Sequence, residues 1–217
     1  MIAAVLAAAS TLAQAADPNK VLHYALENGE STFDPVVYQD SSTSMVVDQI
    51  LEPMLRYDYL ARPVKLVPNT VEALPELSAD GRAYTFHVKP GIYFTPDPAF
   101  KGKPRELVAA DYAYTILRFF DPKLKSPNLY LIEDKVVGLD EAGELATRTG
   151  KPFDYDAKYP GLQMPDRYTL RIQLKRPDYA LIHNLASSYF GAIAREVAER
   201  YGDDIGAHPV EIGRAHV

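Results

Sequence analysis

The stretch Asp80-Gly81-Arg82-Ala83-Tyr84-Thr85-Phe86-His87-Val88-Lys89-Pro90-Gly91-Ile92-Tyr93-Phe94 constrains the fold of this chain more than any other. Asp80-Gly81 marks a tight turn, because glycine tolerates the positive φ that such turns need. Tyr84, Phe86 and Val88 then fall on one side of an extended run, and that alternation predicts a half-buried strand. Pro90-Gly91 closes it, and a short strand follows. After a loop at Thr95–Leu107 with three prolines, a helix is expected at Ala109–Phe120. Tyr112, Ile116 and Phe119 or Phe120 share one stripe of it, and Asp111 in its first turn favours the positive end of the helix dipole.

On both sides of this centre the pattern alternates between strands and helices, a mixed α/β class. Val21–Leu26 reads as a first strand, with His23 as a strand histidine and not a metal ligand. Ser41 or Ser42 is expected to cap a helix carrying Val46, Val47, Ile50, Leu51 and Met54, with Pro53 at its C-terminal end. Leu55, Tyr57 and Tyr59 alternate as a strand, and Val64–Leu77 reads as loop with short strand. Asp121–Tyr159 reads as mostly irregular, with a strand at Leu131–Leu139 and a short helix at Asp140–Thr149. A strand at Tyr168–Leu174 has one wet face. Helices are expected at Tyr179–Leu185 and at Ile193–Tyr201, the latter ended by Gly202.

Composition narrows the function. With 217 residues and 47% hydrophobic content the chain can bury a core, and a net charge of −6 with mixed signs argues against a nucleic-acid partner. Ile2–Ala16 is an alanine-rich apolar run ending in Ala13-Gln14-Ala15, the small-x-small form of a secretory cleavage site, so residues 1–15 are expected to be a signal peptide, although no basic residue precedes the run. Cysteine is absent. That excludes a disulfide scaffold and a lipid anchor through an N-terminal cysteine, and the expectation is a soluble periplasmic protein.

Catalytic signatures are missing: the chain has no Gly-x-Ser-x-Gly elbow, no His-Glu-x-x-His and no phosphate-cradling glycine loop. Scattered histidines and absent cysteines leave no metal set, and no cofactor is expected. The acid pairs Glu133-Asp134, Asp140-Glu141 and Asp203-Asp204 read as solvated loop residues. Fifteen tyrosines suit binding, since each offers an apolar face and a hydroxyl.

The ordered set Phe33-Asp34-Pro35, Glu52 with Met54-Leu55, Pro68, Asp80-Gly81, Tyr84-Thr85-Phe86, Pro90-Gly91, Phe94, Ala109-Ala110-Asp111, Tyr201-Gly202-Asp203-Asp204 and His208-Pro209-Val210 resembles the family 5 extracellular solute-binding proteins, the dipeptide and oligopeptide receptors of ABC importers. The resemblance covers about Lys20–Val210. It departs from the family at Pro53, where glycine is usual after the glutamate, in the longer loop at Thr95–Leu107, and at Val108, where the family places threonine.

The resemblance implies a bilobed type II periplasmic-binding fold of which the chain holds the first lobe. Residues 20–51 and 174–210 would form its main part and 52–173 an appended subdomain. It implies capture of a peptide or similar solute by a monomeric receptor that serves an inner-membrane ABC permease. The loop after Asp34-Pro35 would lie at the ligand cleft, so that Asp40 pairs a peptide ammonium while Tyr38 or Gln39 bonds its backbone. Nickel, haem and sugar ligands, a sensor or chaperone role, and an extracytoplasmic hydrolase are the alternatives. After Val210 the family continues with Gly-Thr-Gly-Pro-Tyr and a second lobe. Here Glu211-Ile212-Gly213-Arg214-Ala215-His216-Val217 follows, which reads as translated sequencing adapter, a non-native tail.

Overall fold

The computed structural model describes residues 20–21 and 23–213. Its elements are α1 (Ser41–Ile50), β1 (Leu55–Tyr57), β2 (Leu66–Pro68), β3 (Glu76–Leu77), β4 (Ala83–His87), β5 (Tyr93–Phe94), α2 (Ala109–Phe119), α3 (Leu139–Thr149), β6 (Leu162–Gln163), β7 (Thr169–Gln173), α4 (Leu181–Asn184), α5 (Arg195–Tyr201) and β8 (Ile212–Gly213), with short 3₁₀ turns between them. The expected signal peptide lies outside the described residues.

The centre forms as its pattern predicts. Gly81 adopts φ 68° at the turn, and Tyr84, Phe86 and Val88 are all buried. An antiparallel sheet runs β3-β4-β7-β6, with Ala83 opposite Gln173 and His87 opposite Thr169. Leu170 and Ile172 of β7 face the same interior as Phe86, while Arg171 stays exposed. Helix α2 lies over this interior. Burial goes well beyond one stripe, since only Ala110 of the helix is exposed.

Val108 supplies no side-chain cap to α2. Instead Asp111 reaches back, accepting the Val108 N–H at 2.8 Å and the Arg105 guanidinium at 2.6 and 3.1 Å. Burial pushes the Asp111 carboxyl up against the opposing pull of Arg105. One continuous apolar core runs from Val36 through α2 and the sheet to Ile205 and Ile212.

Several sequence expectations give way. Residues 21 and 23–26 form no strand, and Val21 and Tyr24 are exposed, because no described strand runs beside them to pair their backbone. Leu131–Leu139 is not a strand either: it turns through Asp134 (φ 55°) and Gly138 (φ 83°), and only Val136 bridges to Leu174. Helix α1 stops at Ile50, and its cap is Asp40, one residue before Ser41 and two before Ser42. Strand β1 ends at Tyr57 because the chain turns at Asp58, whose carboxylate accepts the Leu60 N–H at 3.0 Å and leaves Tyr59 in solvent. Helix α4 is only four residues long. Asp140 and Glu141 lie in the first turn of α3, where Lys175 meets them at 3.0 and 3.2 Å. Glu211–Gly213 closes on β5: Ile212 pairs with Phe94 and is buried. Among the described residues no helix is long and apolar enough to cross a membrane.

Candidate functional site

The loop from Thr32 to Asp40 is fixed from beneath. Asp34 is buried and accepts two hydrogen bonds from the Arg118 guanidinium, at 2.8 and 2.7 Å, in a fork that only arginine and a carboxylate make. Burial works against the charge of Arg118, and the attraction of Asp34 overrides it, so the guanidinium holds its proton more tightly than usual. The same carboxylate accepts the Val36 N–H at 3.2 Å, and its backbone carbonyl accepts from Val37 and Tyr38 at 3.1 and 3.2 Å. Asp34 therefore sets the turn as well as the anchor.

From the side, Ser126 donates to the Val36 carbonyl at 2.5 Å and Asn128 to the Tyr38 carbonyl at 2.8 Å. Tyr38 is 1% exposed. Its hydroxyl meets Ser188 Oγ at 2.8 Å, and its ring stacks on Tyr189 with centroids 4.5 Å apart. Burial pushes its hydroxyl well above the usual tyrosine range.

Asp40 ends the loop in extended backbone (φ −93°, ψ 153°) and caps α1 by accepting the Thr43 N–H at 2.7 Å. Its other oxygen takes Ser31 Oγ at 2.6 Å and Thr43 Oγ1 at 2.8 Å. Those bonds, Ser31 first and Thr43 after it, push its carboxyl down to about 2, so it stays ionised. Gln39, between these two pinned residues, is exposed.

Of the three residues singled out in the sequence, the structure thus places Tyr38 inside, Asp40 at a helix cap and Gln39 at the surface. Arg118, Asn128, Ser188 and Tyr189, which brace them, carry no signal in the sequence. The anchor joins positions 84 apart, and nothing local to Arg118 marks it.

Beside the loop, α1, β1 and the turn at Ser187-Ser188 enclose a concavity of about 370 Å³ lined by Ser44, Asp48, Glu52, Arg56, Asn69 and both serines. Such an arrangement suits polar, non-covalent recognition: rigid extended backbone, a free amide and a hydroxyl-rich hollow. Among the described residues no group of three or more histidine or acidic side chains could hold a metal ion.

The comparisons define the class. The family model described as bacterial extracellular solute-binding proteins, family 5 Middle, matches residues 65–213, so the chain belongs to that family. It is 27% identical to the glutathione-binding protein GsiB of Pectobacterium atrosepticum, over 96% of this chain and 34% of the relative. It is 25% identical to the dipeptide-binding protein of Escherichia coli, over 83% of this chain and 31% of that one. Among solved structures, the periplasmic binding protein DppA of Helicobacter pylori in complex with the peptide STSA superposes with a TM-score of 0.64 at 20% identity, covering 85% of this chain and 34% of that one. The pheromone receptor PrgZ, solved for its structure and mode of peptide binding, gives a TM-score of 0.66 at 19% identity over 85% of this chain and 33% of its own. The fold is that of these receptors, and the chain spans about a third of their length.

Proposed function

We propose that the chain is the first-lobe part of a periplasmic, monomeric receptor, which captures peptides or similar small solutes and delivers them to an inner-membrane ABC permease. The observation that carries this is the family match over residues 65–213. The names of its relatives, glutathione- and dipeptide-binding proteins, support the ligand class. Residues 20–51 and 174–210 form the main part of the lobe and 52–173 its appended subdomain.

The ligand edge is Tyr38-Gln39-Asp40. Gln39, exposed between two pinned residues, offers its amide to a peptide backbone. The ionised carboxylate of Asp40 biases the ligand's amino end toward this side. A second lobe closing over the edge excludes water, which strengthens each of these polar contacts. No bond is made or broken.

Calorimetric titration of the two-lobed receptor with di- and tripeptides tests the reading. Peptides should saturate it, and Gln39→Ala should weaken them at least tenfold. A receptor that ignores every peptide and takes a sugar, haem or nickel instead would overturn it.

A further inference from the structure

The concavity beside the loop holds two opposite charges that the fold itself leaves unused. Asp48 lies on α1 two turns after the cap Asp40 and one after Ser44, so all three share a helix face. Its carboxylate stands near enough to the hydroxyls of Tyr38 and Tyr189 to oppose their ionisation. Asp48 itself lines the hollow. Arg56 of β1 lines the same hollow. Among the described residues neither Asp48 nor Arg56 has an ion pair or a side-chain hydrogen bond. Ser44, Ser187, Ser188, Asn69 and Glu52 line the hollow with them.

We infer that this hollow is a second binding site, for a small zwitterion that sets its ammonium on Asp48 and its carboxylate on Arg56. Its volume of about 370 Å³ admits a molecule the size of a dipeptide. An exposed acid or base alone would hold such a ligand weakly, because each charge is screened. Two charges of opposite sign lining one hollow select a molecule carrying both, and reject one with either end blocked. The inference goes beyond the proposed capture of a peptide at Tyr38–Asp40, because this lobe supplies every group it needs.

The test is a titration of the chain, followed by NMR, with alanylalanine, its N-acetyl form and its C-terminal amide. The free dipeptide should saturate while each blocked form binds at least tenfold more weakly. Asp48→Asn should abolish the preference for the free amine and Arg56→Gln the preference for the free carboxylate. Both side chains are exposed, and unchanged far-UV circular dichroism will confirm that the variants fold. Absence of saturation, equal binding of blocked and free forms, or binding indifferent to both variants overturns the inference. Binding lost in Gln39→Ala and kept in Asp48→Asn also overturns it, while leaving the reading of the loop intact.

Discussion

Breaking the Asp34–Arg118 pair is the sharpest test of how the ligand edge is held. Arg118→Met leaves a carboxylate buried with its fork of donors gone, and Asp34→Asn leaves the guanidinium facing a neutral amide. The side chains are 6% and 4% exposed, so solvent screens little of the loss. Removing one member of such a pair costs about 3–5 kcal/mol, most of it the penalty of stranding the other charge. In a chain whose total stability is of the order of 5–15 kcal/mol, that is a third or more of it. Urea unfolding followed by circular dichroism should show each single variant shifted by about this amount. The double variant Asp34→Asn/Arg118→Met should lose well under the sum of the two single losses, since no charge is then stranded. A single variant within about 1 kcal/mol of the parent would refute the claim that the loop hangs on this pair.

Other outcomes follow from the same contacts. Tyr38→Phe strands the buried Ser188 hydroxyl and should cost about 1–2 kcal/mol in the same urea assay. Gly143→Ala, stabilising in an ordinary helix, should destabilise this one, because its Cβ would sit 2.7 Å from the Phe120 carbonyl oxygen. The folded pKa of Asp40 is depressed, so its contribution is fully present above the unfolded value near about 4 and is lost as pH falls through about 2. Acid unfolding of Asp40→Asn should therefore lack that part of the pH dependence.

The sequence announced what is local and concealed what is distant. The Asp80–Phe94 turn-and-strand unit, the helix after Val108 and the Thr169–Gln173 strand were legible because alternation, glycine and helical spacing act over a few residues. Val21–Leu26 carried the same alternation, and its described residues 21 and 23–26 form no strand, since a pattern states only which face is apolar and a ladder needs a neighbour. Asp40 was legible as a polar loop residue. Its role as a cap was missed because Ser41 and Ser42 are equally good capping types, and the choice among adjacent caps depends on where the loop enters. The brace of Arg118, Asn128 and Ser188 was invisible for a further reason: its partners meet only after the sheet and α2 have packed. Charge at Asp48 and Arg56 was readable, and the fact that they share a hollow was not.

The ladder between β4 and β7 pairs residues 82 to 90 positions apart, from His87 with Thr169 to Ala83 with Gln173. Helices α2 and α3 lie inside that loop and can form early from local contacts, whereas the central sheet must wait for its ends to meet. During the wait β4 has only its local neighbour β3 beside it, and the edge and apolar face of Tyr84 and Phe86 that β7 will complete are open to other chains. The last contact to form in the centre of this fold is thus the one that seals its stickiest surface, which makes the speed of that closure, as much as the final stability, the quantity that governs the yield of folded protein.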